Sequence, residues 1–126
     1  MSMRPTILLL ALSGAGCATY PDNASYLYGE RYYRANSHTF STRITAIDGR
    51  STMLTSKSVP IEPGEHVVTL VTAPVAGLTR PEYRELRLAV EPCRRYYIVA
   101  ERDNRLLQDW RPVIDHVEHA GSAGCP

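Results

Sequence analysis

From Thr39 to Ala100 the chain is cut at short intervals by residues that turn a backbone: Asp48-Gly49, Pro63-Gly64, Pro74, Gly77, Pro81 and Pro92. Few stretches between them are long enough for a stable helix, and those that remain carry strand chemistry. Thr39 to Ile47 (TFSTRITAI) is rich in Thr and Ile and sets Phe40, Ile44 and Ala46 on one side of an extended chain. Asp48-Gly49 then predicts a tight turn, with Ser51 to Thr55 returning antiparallel. Pro63-Gly64 suits the two central positions of a type II turn. His66 to Ala73 (HVVTLVTA) predicts a strand buried on both faces, because Val67 and Val71 point opposite to Val68 and Leu70.

Leu86, Leu88 and Val90 alternate with Glu85, Arg87 and Glu91, which gives a strand one apolar and one solvated face. Pro92 ends it, and Tyr96 to Ala100 (YYIVA) predicts a further buried strand. From Leu106 to His119 the residues Trp110, Val113, Ile114 and Val117 also fit helical spacing, but Pro112 argues against a helix interior and for an edge strand. The expected fold class is therefore all-β: a small antiparallel β-sandwich, immunoglobulin-like or transthyretin-like.

The N-terminus has a different character. Arg4 supplies a fixed positive charge, Ile7 to Leu12 a short apolar run, and Ser13 to Gly16 a stretch of small residues. This order is the layout of a secretory signal, and the run falls well short of the ~20 residues that span a bilayer. Residues Ser13-Gly14-Ala15-Gly16-Cys17 resemble the lipobox of bacterial lipoproteins. The resemblance implies cleavage before Cys17, diacylglycerol on its thiol, and, with Ala18 rather than Asp next, forwarding to the outer membrane, facing the periplasm. The other reading of the same residues is a general signal-peptidase site that releases a soluble protein. The expected organisation is a lipoprotein signal peptide at 1–16, a tether at 17–37 and a β-sandwich domain at 38–126.

Cysteine arithmetic bears on the same point. Three cysteines leave one odd thiol, and lipidation gives Cys17 a separate task. Cys93 and Cys125 then remain, and an oxidising periplasm favours a disulfide between them; the alternative is two unrelated thiols. Neither belongs to a C-x-x-C pair of the kind that builds zinc sites.

Removing 16 of the 126 residues leaves 110, enough for one small domain. The 14 basic and 13 acidic residues become 13 of each once Arg4 is lost, so no basic footprint for nucleic acid exists. Arg80, Arg84, Arg87, Arg94 and Arg95 are interleaved with Glu82, Glu85 and Glu91, the pattern of a solvated mixed-charge face. Five of the eight tyrosines (Tyr20, Tyr26, Tyr28, Tyr32, Tyr33) fall within the expected tether. They either mark a binding surface or fold back onto the domain or the membrane interface.

The string Ile61-Glu62-Pro63-Gly64-Glu65-His66-Val67-Val68-Thr69-Leu70, followed by a Leu-x-Leu-x-Val strand and a Tyr-Tyr-Ile-Val strand, resembles PEGA-type β-sandwich modules of bacterial envelope proteins. The resemblance covers about Val59 to Arg102 and implies a fold rather than a reaction.

Catalytic arrangements are sparse. Asp115-His116-x-Glu118-His119 is the densest cluster of potential ligands, but its order is not that of zinc proteases. On a strand His116 and His119 face opposite sides; on a helix Asp115 and His119 share a face. No recognisable motif sets a nucleophile beside His38 or His66. Cys93 would need a depressed pKa to act as one. Phosphate loops, dinucleotide fingerprints and calcium loops are absent from the sequence, so no cofactor is expected. The leading expectation is a non-enzymatic binding or assembly module, anchored in the membrane by lipid and contacting an envelope protein. The alternative is a small periplasmic metal-binding protein or enzyme using His116 and His119.

Overall fold

The structure is a computed structural model and describes residues 22–29, 38–52, 58–73, 80–104, 106–121 and 124–125. Eight strands form one mixed sheet, with no helix among the described residues. They are β1 (Ser25–Tyr28), β2 (Thr39–Ile47), β3 (Arg50–Ser51), β4 (Ser58–Ile61), β5 (Gly64–Thr72), β6 (Tyr83–Val90), β7 (Arg94–Glu101) and β8 (Arg111–His119). The hydrogen-bonded order is β4-β1-β7-β2-β5-β6, with β3 on β2 and β8 on β7.

The architecture turns on β2. Its first residues, Thr39 to Ser41, pair antiparallel with Glu101 to Val99 of β7, and its remainder pairs with β5 and β3. A strand that changes partners leaves backbone groups behind, and a buried orphan carbonyl is costly. Thr42 resolves this. Its amide donates to the Gly29 carbonyl at 2.8 Å and its buried hydroxyl donates to the Ile98 carbonyl, also at 2.8 Å. Thr72 repeats the device from β5, its hydroxyl donating to the Ser41 carbonyl.

Alternation then builds the core. Leu27 of β1, Val59 and Ile61 of β4, Ile44 of β2, Val68 and Leu70 of β5, Leu88 and Val90 of β6, and Tyr96, Ile98 and Ala100 of β7 form one buried cluster, with Trp110 closing it. Hydrophobic burial at roughly 25 cal/mol per Å² is what holds these strands together. Asp48 and Gly49 both have positive φ, 51° and 77°, in the two-residue loop between Ile47 and Arg50. That is the type I′ geometry Asp-Gly favours, because its twist matches the strands it joins.

One expectation is corrected. The sheet is mixed rather than antiparallel, since β1 runs parallel to β7, with Tyr26 to Tyr28 opposite Arg95 to Tyr97. The expected tether at 17–37 also contains β1, because Ser25 and Leu27 are fully buried and give that short stretch an inward face. The remaining tether positions, 17–21 and 30–37, lie outside the described residues. Positions 53–55 of the expected return strand do so too, while Arg50 and Ser51 pair with β2 as its beginning. The stretch read as strand or helix after Leu106 resolves into a loop up to Trp110 and then strand β8.

Candidate functional site

The outward face of β1, β7 and β8 gathers most of the chemistry. On β7, Tyr96, Ile98 and Ala100 point into the core, so Arg95 and Tyr97 point away from it. Tyr97 stands opposite Tyr28 on one side and His116 on the other. β8 reaches this register through a bulge: Tyr97 faces His116 and Ile98 faces Ile114, so Asp115 is the extra residue. Without it, His116 would sit on the inward face.

The three rings stack in a row across three strands. Tyr28 and Tyr97 have centroids 4.9 Å apart at 16°, and Tyr97 and His116 are 4.1 Å apart at 10°. Cross-strand aromatic pairs of this kind contribute beyond the area they bury. Glu118, two residues on from His116, completes the group. The Tyr97 hydroxyl donates to its Oε2 at 3.0 Å, and its Oε1 lies 3.4 Å from His116 Nε2. Asp115 Oδ2 lies 3.0 Å from His116 Nδ1. Burial, and then the Glu118 carboxylate, push the Tyr97 phenol above its ordinary value, so it remains a donor at neutral pH. The faces that meet within the row are covered by stacking, and the Tyr97 hydroxyl and both His116 nitrogens are engaged by Glu118 and Asp115.

At the start of the same face the first and last described residues meet. Cys93 and Cys125 are joined by a disulfide, with Cα atoms 5.5 Å apart. They form a small buried cluster with Ala120, and Tyr26 packs against it. The Cys93 amide donates to the Asn23 carbonyl at 3.0 Å and the Ala120 amide to the Cys93 carbonyl at 2.9 Å. The buried Ser25 hydroxyl ties the turn down, donating to the Glu91 carbonyl at 2.5 Å and accepting from the Arg94 amide at 2.9 Å.

The other positions singled out in the sequence fare differently. Cys17 lies outside the described residues. His116 and His119 fall on opposite faces of β8, since Tyr97 and Arg94, opposite them, differ by an odd number of positions. Among the described residues no three His, Cys, Asp or Glu side chains converge as metal ligands. His66 bridges Asp48 Oδ2 at 2.6 Å and the Glu62 carbonyl at 2.8 Å, a contact that braces the β2–β3 turn. Exposed His38 offers its carbonyl to the Arg102 amide. Cys93, held in a disulfide, has no thiolate to attack with.

Three features had no clear signal in the sequence. The aromatic row depends on registers across separate strands. Arg102 is buried, stacked 4.7 Å from the Phe40 ring centre, and donates to the Ala73 carbonyl at 2.8 Å, while its Nε has no partner among the described residues. Leu106 and Leu107 stand exposed in a loop pinned by Trp110, whose Nε1 donates to the Glu82 carbonyl at 3.1 Å. Comparison with known protein families, with curated proteins and with solved structures finds no match for this chain.

Proposed function

We propose that this chain is an exported lipoprotein of a bacterial envelope, anchored through Cys17, whose folded part is a non-enzymatic binding or assembly module. The signal-like N-terminus and the lipobox-like residues 13–17 support export and lipidation. The observation that carries the reading is the Cys93–Cys125 disulfide. Such bonds persist in oxidising compartments, and this one accounts for two of three cysteines and leaves Cys17 as the odd thiol. The fold is read as a β-sandwich of immunoglobulin-like or transthyretin-like type, with β2 as the strand shared by its two layers; the PEGA-like string from Ile61 to Leu70 supports the same reading. Ala18 after the cysteine, read through the lipobox resemblance, supports a location at the outer membrane, facing the periplasm.

Asp22 stands five positions after Cys17 and is the first described residue of the fold. With Cys17 as the anchor, a segment that short reaches at most ~3.5 Å per residue, which keeps Asp22 and the disulfide end near the bilayer. The Tyr28–Tyr97–His116 row, with both tyrosines half-buried and His116 exposed, is a candidate contact surface for a partner.

The test is metabolic labelling with a fatty-acid probe. Label should enter the wild-type protein and be lost in Cys17→Ser. Equal labelling of both, or of neither, overturns the anchor.

A further inference from the structure

Among the described residues four strands end the sheet: β3, β4, β6 and β8. Free edges invite pairing with another chain, and proteins usually blunt them with prolines, bulges or brevity. β3 has two residues, β4 has four and contains Pro60, and β8 carries Pro112 and the bulge at Asp115. β6 has none of these. Its eight residues contain no proline and pair with β5 without a register shift from Gly64↔Val90 to Val71↔Tyr83.

The side chains of this edge complement themselves. Glu85 and Arg87 are exposed and point outward, and neither has an ion-pair partner among the described residues, whereas Arg84 is held by Glu82 and Asp109. Leu86, which points inward, is only half-buried. In an antiparallel pair of identical strands related by a two-fold axis, one residue faces itself and its neighbours face each other across the axis. With the axis at Leu86, Glu85 of each copy faces Arg87 of the other, Leu86 faces Leu86, and Arg84 faces Leu88. With the axis at Arg84, Glu85 or Arg87, like charges lie opposite one another. With the axis at Leu88, Glu85 faces Glu91.

We propose that β6 is a self-pairing edge, through which two copies of this chain associate antiparallel about an axis at Leu86 and continue the sheet across the dimer. The paired stretch is Arg84 to Leu88, because Trp110 already contacts the residues before it, its Nε1 donating to the Glu82 carbonyl at 3.1 Å. An interface of this length is small, so association depends on concentration. This does not rest on lipidation: the edge is the same whether or not Cys17 is modified.

The test is sedimentation equilibrium of the full-length chain in mild detergent over a concentration series. Wild type should show a monomer–dimer equilibrium. Glu85→Arg and Arg87→Glu should each weaken it by at least about tenfold, because symmetry turns two opposite-charge pairs into two like-charge pairs. The combined E85R/R87E variant exchanges the charges and should restore wild-type affinity, a recovery that a folding defect would not produce. A wild-type monomer at every concentration, association that ignores the single reversals, or an exchange variant that fails to recover would each overturn the proposal.

Discussion

Gly124 lies so close to Asp22 that a β-carbon at that position would overlap the Asp22 backbone carbonyl. The contact spans almost the whole chain and sits beside the disulfide, so the last residues pass directly over the first described ones. Only the residue without a side chain fits. Gly124→Ala should therefore destabilise the protein by roughly 1–3 kcal/mol, the usual cost of overpacking. Gly121→Ala, where no described atom lies within 4 Å, should leave the melting temperature nearly unchanged.

The disulfide itself closes a loop with a sequence separation of 32. A cross-link of that span removes about 3.5–4 kcal/mol of unfolded-chain entropy on the loop-closure account. Cys93→Ser should lower the urea midpoint accordingly. Thiol titration of the denatured, unreduced wild type should find neither Cys93 nor Cys125 reactive, and the variant should expose Cys125.

Trp110 is the only tryptophan in the sequence and is buried. It caps the core, donates to the Glu82 carbonyl, and has the Arg84 guanidinium 5.8 Å from its ring centre. Trp110→Ala should cost about 3–5 kcal/mol. Trp110→Phe keeps an aromatic ring, smaller than the indole, but strands the Glu82 carbonyl, for a smaller loss of about 1–2 kcal/mol. Circular dichroism melts rank the two, and the wild-type fluorescence should shift to longer wavelength on unfolding.

Asp48 accepts the Val67 amide at 2.8 Å and contacts His66. First the Val67 hydrogen bond and then the His66 hydrogen bond hold its carboxyl below the ordinary 3.8. A depressed carboxyl stabilises the fold above its unfolded value and loses that contribution as pH falls through the folded one. Urea midpoints measured at pH values descending from above 3.8 should fall less steeply for Asp48→Asn than for wild type, since asparagine tolerates the positive φ of 51° but has no charge to lose.

Most strands were legible because their signals are local. The β2 sequence TFSTRITAI and the alternation of Leu86, Leu88 and Val90 with charged neighbours carry period two on their faces, and Asp48-Gly49 announces its turn chemistry. β1 was hidden for the opposite reason. Four residues beside Pro21, Asp22, Asn23 and Gly29 are too few to show a period, and what makes them a strand is β7 and β4 on either side. The parallel direction of β1 is a long-range choice with no local sign. The Tyr28–Tyr97–His116 row shares this origin, and the bulge at Asp115 that turns His116 outward is a register effect between β7 and β8. His116 and His119 were readable as opposite-facing only once β8 was known to be a strand.

The seating of β1 also has a mechanical side. It lies between β4 and β7, with the Cys93 amide bonded to the Asn23 carbonyl just ahead of it. Tension applied along the axis of β1 acts at right angles to the bonds that join it to β4. Those bonds are strained together in shear instead of parting one by one, as they would if the strand were peeled sideways. Pulled in that direction, β1 leaves the sheet only when several of its bonds give way together.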